Sequence, residues 1–260
     1  MEIPEEHFSI MHSFYYILKN IIFLPAALLI TALIATSVIL LARIPGTSGL
    51  LQKLEKIWAQ GVVWAAGLDI QADVADLDQG RTYLFIANHQ SLLDIPIMLS
   101  LLRNWYPRFV AKNSLFTIPL FGPGMRRTGH LGVDRENSRQ GMRDMQEAVH
   151  RLQQGQSLVV FPEGTRGREE DGLQDFHIGA FVIALKAKVP VVPILITGSS
   201  RVMPKGSFLL HPGSIRLKAL PPRHVPEEAT VKDRNRLKTA LWAEMDTTLR
   251  EMNKWTMKND

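Results

Sequence analysis

An uncharged stretch of 22 residues near the amino terminus, Ile21 to Ala42, restricts the fold more than any other feature of this chain. As an α-helix it would be about 33 Å long, enough to cross a hydrocarbon core of about 30 Å. Its length and the acidic start of the chain argue against a cleaved secretory signal. A buried helix of a soluble core is the plain alternative. We therefore expect a membrane-associated amino terminus.

Basic residues set the expected orientation of this segment. Arg43, Lys53 and Lys56 follow it closely, whereas only Lys19 precedes it nearby. The positive-inside rule therefore places the carboxy-terminal side in the cytoplasm. Pro25 and the apolar residues before the run leave a second possibility, which is a hairpin of two helices immersed in one leaflet.

After Gly61 the sequence alternates between short apolar runs and amphipathic stretches. The runs predict strands over residues 82–88, 108–112, 129–134, 157–162, 191–198 and 214–220. The stretches between them predict helices over residues 91–102, 136–155, 176–188 and 231–252. We expect an α/β domain over residues 61–260, with a mixed, mostly parallel sheet flanked by helices, and a membrane anchor over residues 1–60. Pro190 and Pro193 predict an edge or irregular position for their strand.

Composition excludes several kinds of site. The 260 residues include no cysteine, which rules out disulfides, thiolate metal sites and a cysteine nucleophile. A formal charge of +5 favours anionic partners such as phosphates or acidic lipids. No dense basic run with interleaved aromatic residues points to nucleic acid, and no H-E-x-x-H spacing points to a metal.

The segment 88-NHQSLLD-94 follows an apolar, strand-like run, and ligands of α/β domains bind at such strand ends. It has three interpretations. His89 and Asp94 could be a capping histidine with a solvated carboxylate. Ser91 could be a nucleophile, although the G-x-S-x-G elbow is missing. The pair could also be a dyad that deprotonates a substrate hydroxyl, which requires His89 to fold back from just before a helix beginning at Ser91.

Two further clusters follow strands. In 161-FPEGTR-166, Gly164 lets backbone amides approach a ligand closely, and Arg166 can hold a phosphate through two N–H groups. Lys112 ends another strand, and several cations over residues 112–135 could meet at the same edge of the sheet. The alternative for each cation, taken singly, is a solvated surface charge.

Together these blocks resemble the 1-acylglycerol-3-phosphate acyltransferase (lysophosphatidic acid acyltransferase) family. The family pattern N-H-x-S-x-x-D matches residues 88–94, F-P-E-G-T-R-S matches 161–167 with Gly167 in place of the serine, and V-P-V-x-P matches 189–193. The remaining block is matched by Lys112, Gly129, Asp134 and Arg135. His130-Leu131-Gly132 departs from the family's aromatic-rich middle, and the resemblance covers about Tyr83 to Leu195.

The resemblance implies a glycerolipid acyltransferase fold and an acyl transfer that needs no cofactor and no metal. His89 would deprotonate the free sn-2 hydroxyl of 1-acyl-sn-glycerol-3-phosphate, and Asp94 would orient His89. The oxygen would attack the thioester of acyl-CoA or acyl-carrier protein, giving phosphatidic acid in phospholipid biosynthesis. The residues implied in acceptor binding are Lys112, Arg135, Glu163, Gly164, Thr165 and Arg166.

The expected partners are therefore a lysophospholipid, a thioester donor and membrane lipids, with no nucleic acid. The expected location is a bacterial-type inner membrane, with the catalytic domain on the cytoplasmic side. The stretch from Leu115 to Phe121 is a candidate lining for an acyl groove. Two alternatives remain: a different acceptor (another lysophospholipid, glycerol-3-phosphate or an amino-acid lipid), or a non-catalytic lipid-binding protein.

Overall fold

The computed structural model describes residues 5–74, 77–134, 136–168 and 170–259, and describes side chains within residues 15–254 of these ranges. Arg135, which the resemblance implicates in acceptor binding, lies outside the described residues.

Seven strands form one sheet in the order β1-β7-β6-β2-β5-β3-β4. Their bounds are β1 Asp69–Asp73, β2 Leu84–Ala87, β3 Arg108–Lys112, β4 Leu131–Val133, β5 Leu158–Val160, β6 Val191–Thr197 and β7 Ser214–Ala219. Neighbouring strands are parallel except for β6 and β7, which are antiparallel. The predicted mixed, mostly parallel sheet is confirmed.

Helices precede the sheet and connect its strands. Their bounds are α1 Glu5–Leu41, α2 Ser48–Ala66, α3 Asp94–Leu101, α4 Phe121–Thr128, α5 Ser138–Gln153, α6 Gly179–Ala187, α7 Ser199–Val202 and α8 Arg234–Asn259, with 3₁₀ turns at Asn113–Thr117 and Val231–Asp233. Helix α5 begins where the Asn137 side chain accepts hydrogen bonds from the N–H groups of Arg139 and Gln140, which satisfies two donors of its first turn.

The sheet is covered on both faces, and β2 lies at its centre. Leu84 and Ile86 pack into one core with α5, α6 and α8, whereas Phe85 and Ala87 pack into the other core with α2 and α3. This alternation follows from the two-residue repeat of a strand. All four residues are fully buried, as expected for a parallel strand between two helical layers.

Helices α1 and α2 form an antiparallel hairpin. Lys19 Nζ, in the first half of α1, donates to the Gly67 carbonyl just after α2 (3.2 Å), and Trp58 Nε1 donates to Thr31 Oγ1 (3.0 Å). Pro25 lies within the continuous helix α1, so the turn of the hairpin follows Leu41. Helix α2 continues past residue 60, where the sequence suggested a domain boundary.

One flank of α1 packs on the α/β domain. The Asn20 side-chain amide donates to the Leu210 carbonyl (2.9 Å) and its oxygen accepts from the Leu210 N–H (2.6 Å). Further along α1, a β-carbon on Gly124 of α4 would lie 3.5 Å from the Ala35 β-carbon, so the two helices approach closely. By length and composition, Tyr15–Leu41 could cross a membrane.

Of the two positions that the prolines predicted for β6, the edge is wrong, because β6 lies between β7 and β2, whereas the irregular position is found, because its pairing on the β7 side is interrupted at Pro193. Pro193 is accommodated at the end of the ladder with β7, which begins at Ile194. The Pro193 carbonyl accepts from the Leu220 N–H (2.8 Å), and N–H and C=O of one strand residue point to the same side. Pairing resumes beyond it, where Val191 and Arg223 exchange both backbone hydrogen bonds (2.9 and 2.7 Å). Pro193 therefore lies at a break between two antiparallel stretches, where its missing N–H is tolerated.

Candidate active site

The residues between β2 and α3 form a tight turn at the carboxyl edge of the sheet. Asn88 fixes its start, because its amide donates to the Ile196 carbonyl and its side-chain oxygen accepts from the Ile196 N–H (both 2.8 Å). Helix α3 begins at Asp94, whereas the sequence predicted a start at Ser91. Asp94 therefore lies at the first residue of the helix and not one turn inside it.

His89 and Asp94 are brought together by this turn. His89 Nδ1 lies 2.8 Å from Asp94 Oδ2, which also accepts the backbone N–H groups of Gln90 (2.7 Å) and Ser91 (2.8 Å). The Asp94 side chain is fully buried, and the His89 side chain is 15% exposed. The carboxylate thus fixes both the turn and the imidazole.

The tautomer of His89 follows from this contact. An ionised carboxylate only accepts hydrogen bonds, so Nδ1 carries the proton and Nε2 keeps its lone pair. The ring stacks on Phe161, with centroids 4.1 Å apart and planes 16° from parallel. No described residue hydrogen-bonds to Nε2, and the ring lines a cavity. His89 is therefore oriented to take a proton from a ligand in that cavity.

Ser91 is engaged in structure. Its side chain is fully buried, and its hydroxyl donates to the Met203 carbonyl (2.8 Å) while accepting from the Leu93 N–H (3.3 Å). A nucleophilic role for Ser91 has no geometric support. The serine instead ties the His89 turn to the segment that follows α7.

Glu163 lies behind the cavity wall. One of its carboxylate oxygens accepts the His89 N–H (2.8 Å), and the other is 3.4 Å from the Gln174 N–H. The Gly167 N–H donates to the His89 carbonyl (2.8 Å). The loop from Glu163 to Gly167 thus binds both the N–H and the C=O of His89. Sequence reasoning gave Glu163 an acceptor-binding role, but its contacts fix the backbone of the His89 turn.

The environment of Glu163 favours its protonated form. Burial raises the pKa of its carboxyl, the N–H groups of His89 and Gln174 partly oppose the rise, and the nearby Asp94 charge adds to it. The net effect raises the pKa of Glu163 to about 7. Glu163 is thus a buried acid without a cationic partner within the described ranges.

Cationic and polar groups surround the mouth of the cavity beside His89. Lys112 at the end of β3, and Gly164, Thr165 and Arg166 after β5, all line it. Arg166 is half-buried and has no carboxylate partner among the residues described. Lys112 Nζ lies 3.9 Å from a carboxylate oxygen of Glu136, and this ion pair is weak because both side chains are largely exposed. This rim is suited to an anion such as a phosphate.

Lys205 is a further cation at the rim that sequence reasoning missed. It follows α7, lines the same cavity, and donates from Nζ to Thr165 Oγ1 (3.0 Å). The residue is exposed and lies outside the four motif blocks, so spacing alone gave no signal for it. The one indication in the sequence was that the segment after β6 begins at the carboxyl edge of the sheet, where the other motifs also lie.

The cavity has a volume of about 340 Å³ and runs from His89 toward the helix hairpin. Leu115 and Phe121, the two ends of the predicted acyl groove, line it. Part of its wall comes from helices that the sequence did not assign to it, and the residues concerned are Thr31, Ile34, Ala35 and Val38 of α1, Trp58 of α2 and Met125 of α4.

A buried polar cluster also lines this cavity. Glu55 of α2 pairs with Arg108 of β3 through one carboxylate oxygen and with His130 Nε2 through the other. His130 Nδ1 accepts the Phe109 N–H (2.9 Å), so both ring nitrogens are occupied. Burial raises the pKa of Glu55, but His130 and Arg108 outweigh burial and hold that pKa below its ordinary value. In the described part of the chain, no group of three or more histidine and acidic side chains is placed to hold a metal.

Known proteins share this architecture. The family model described as Acyltransferase matches residues 71–197. Residues 71–197 form an acyltransferase-family domain. The crystal structure of the 1-acyl-sn-glycerophosphate acyltransferase PlsC from Thermotoga maritima superposes with a TM-score of 0.76 at 23% identity, covering 93% of this chain and 98% of that chain. This likeness confirms the fold.

Sequence relatives carry one enzyme name. A 1-acyl-sn-glycerol-3-phosphate acyltransferase of Chlamydomonas reinhardtii is 35% identical over 176 residues, covering 66% of this chain and 52% of that protein. The enzyme of the same name from Escherichia coli is 33% identical over 154 residues, covering 58% of this chain and 61% of that protein. The chain thus spans about half the length of the first of these relatives. The predicted family resemblance is confirmed.

Proposed function

We propose that this acyltransferase-family protein transfers an acyl chain from a thioester donor to the hydroxyl of a lysophospholipid. The observation that carries the proposal is His89: Asp94 holds one ring nitrogen, and the ring lines a cavity rimmed by cations. The names of the sequence relatives support the same reaction. A non-catalytic lipid-binding protein would have no need of this oriented base.

The reaction follows from the tautomer. His89 Nε2 takes the acceptor hydroxyl proton while the hydroxyl oxygen attacks the thioester carbonyl. A C–O bond forms, the C–S bond breaks, and the proton on His89 passes to the leaving thiolate. Asp94 stabilises the imidazolium formed in between. Acyl-CoA and acyl-carrier protein both supply such a thioester, and no resident cofactor or metal takes part in these steps.

We assign the rim to the acceptor phosphate. Arg166 and Lys112 are placed to bind phosphate oxygens, and Thr165 and Gly164 form the adjoining wall. Glu163 acts through the His89 backbone. The preferred acceptor is 1-acyl-sn-glycerol-3-phosphate, with phosphatidic acid as product in phospholipid biosynthesis. The cations favour this acceptor over an amino-acid lipid, which would leave them without a phosphate.

We further propose that the hairpin of α1 and α2 anchors the protein in one leaflet, with the α/β domain on the cytoplasmic side. Helix α1 contacts the domain from Asn20 to Val38, a length of about 27 Å. A helix that crossed the bilayer would have lipid around it over that length. Immersion in one leaflet brings membrane acceptors and water-soluble donors to the same cavity.

The test is an acceptor panel. Purified full-length protein would be given labelled acyl-CoA and, in turn, 1-acyl-sn-glycerol-3-phosphate, lysophosphatidylethanolamine, glycerol-3-phosphate and an acylated amino acid, with products separated by thin-layer chromatography. We expect labelled phosphatidic acid from the first acceptor. Product from lysophosphatidylethanolamine alone would overturn the acceptor assignment, and product from none of the acceptors with either acyl-CoA or acyl-carrier protein as donor would overturn the activity. Repeating the successful reaction with acyl-carrier protein identifies the donor.

A further inference from the structure

Two large apolar side chains project from a loop on the α/β domain. Phe208 is 58% exposed and its neighbour Leu209 is 55% exposed, between α7 and β7. Single exposed apolar residues need no explanation on a protein surface. An adjacent pair on a loop beside another apolar surface indicates a contact with a partner or a membrane.

Hydrogen bonds hold this loop in place. The Ser207 N–H donates to the Pro204 carbonyl (3.1 Å), and the Leu209 N–H donates to the Ser207 hydroxyl (3.0 Å). The next residue, Leu210, is buried and bonded through both backbone groups to Asn20 of α1. The two side chains are therefore presented to solvent by an ordered turn.

The loop adjoins the apolar surface of α1. Ile17 lies one helical turn before Asn20 and on the same side of the helix, and Ile21 follows Asn20 directly. Both isoleucines are exposed. Because Asn20 contacts Leu210, the exposed pair at 208–209 lies next to this part of α1. One apolar surface thus continues from the helix hairpin onto the domain.

The charge around the loop fits an anionic lipid surface. The segment between β6 and β7, residues 198–213, contains no aspartate or glutamate, and its basic residues are Arg201 and Lys205. Lys205, at the base of the loop, reaches the cavity rim through Thr165. Basic side chains beside an apolar tip match the headgroup and acyl layers of a membrane.

We propose that the loop from Pro204 to Leu210 is a second membrane-contact element, in which Phe208 and Leu209 enter the acyl layer and Lys205 lies at headgroup level beside the catalytic cavity. The inference rests on the proposed membrane association of α1. It adds a contact on the α/β domain itself, which would turn the cation rim toward the lipid surface that holds the acceptor.

The cysteine-free sequence allows a direct test. Leu209→Cys, Leu28→Cys and Met142→Cys would each be labelled with an environment-sensitive nitrobenzoxadiazole probe in the full chain. Leu28 is exposed on α1, and Met142 is an equally exposed apolar residue of α5. Each protein would be mixed with vesicles of phosphatidylethanolamine and phosphatidylglycerol, with and without spin-labelled lipid that quenches probes in the acyl layer.

We expect probes at 209 and 28 to shift to the blue and to be quenched, and the probe at 142 to keep its emission in water. Insertion at 28 without insertion at 209 would overturn the loop contact and leave the proposed function standing. A water-like signal at both positions would overturn the membrane association as well. Insertion at all three would mean non-specific adsorption, which also contradicts the proposal.

A kinetic test follows. The double variant Phe208→Ser, Leu209→Ser should raise the KM for an acceptor presented in vesicles by about tenfold or more, because each lost apolar contact weakens membrane binding. The KM for a short-chain, water-soluble acceptor should stay unchanged, and Met142→Ser should change neither. An equal rise for both forms of acceptor would show that the loop acts within the cavity and not on the membrane.

Discussion

The cavity has two ends that use the same kinds of side chain for opposite purposes. At the catalytic end, His89 has one ring nitrogen held by Asp94, while no described residue bonds to the other. At the second cluster, His130 has both ring nitrogens occupied, by the Phe109 N–H and by Glu55. A histidine beside a buried carboxylate is therefore a candidate base only where one nitrogen remains open to a ligand.

The arginines and glutamates differ in the same way. Arg108 is buried and paired with Glu55, whereas Arg166 borders the cavity and lacks a carboxylate partner within the described residues. Glu55 has its pKa lowered below the ordinary value despite burial, while burial raises that of Glu163 to about 7. One cluster satisfies its charges and ties α2 to β3, and the other leaves charges for a ligand.

The largest expected effect comes from the catalytic end. His89→Ala should lower kcat by about 10²-fold or more, because a positioned general base contributes at least that much. Fold and vesicle binding should persist, as checked by circular dichroism and flotation. Initial rates with labelled donor provide the measurement. Residual activity above roughly a tenth of the parent protein would contradict the base role of His89.

The second cluster should respond in stability rather than in chemistry. Glu55→Gln leaves the Arg108 charge buried and unpaired, which should cost about 3–5 kcal/mol of unfolding free energy. Glu147→Gln, in the partly exposed pair with Arg151, is the matched control and should cost under about 1 kcal/mol. Thermal unfolding in detergent measures both. Equal losses in the two variants would show that the buried cluster is not a stabilising link.

The raised pKa of Glu163 should make the unfolding free energy depend on pH, in contrast to the paired Glu55. Its pKa is raised from 4.5 to about 7 in the folded protein, so the folded state holds this proton more tightly than the unfolded chain. The corresponding stability is present below pH 4.5 and is lost as pH rises through about 7, an effect of about 3 kcal/mol. Glu163→Gln should remove this decline, with Glu170→Gln as an exposed control. Parallel stability profiles for parent and Glu163→Gln would refute the shifted pKa.

The sequence predicted the catalytic end of the cavity but not the cluster of Glu55, Arg108 and His130. The catalytic end is built mainly from two short motifs, 88–94 and 161–166, and within each motif the spacing of the residues indicates their geometry. The second cluster joins residues 55, 108 and 130 from three separate elements. Nothing local indicates that they meet, and His130 was noticed only as a departure from the family pattern.

The same distinction applies to the fold. Buried strands such as β2 are continuous apolar runs and were predicted, although Ala87 proved to be the last strand residue. Strand β1, with the sequence DIQAD, is mostly exposed and polar and lies beside β7 at one end of the sheet, so no hydrophobic pattern marked it. The prolines left an edge and an irregular position open, and sequence could not choose between them because the register of the facing segment is not visible in it.

The smallest effect we expect tests the open arginine. Arg166→Ala should raise the KM for 1-acyl-sn-glycerol-3-phosphate by about tenfold, since one hydrogen-bonded charge contact contributes roughly 1.5–3 kcal/mol and part of it remains with Lys112. The KM for acyl-CoA should change little. Arg168→Ala is the matched control, because Arg168 lies two residues away, is exposed and pairs with Glu170. Steady-state rates with each substrate varied in turn measure the four constants. If both KM values rise equally in Arg166→Ala, then the rim does not discriminate acceptor from donor, and the contrast between a satisfied Arg108 and a ligand-binding Arg166 fails.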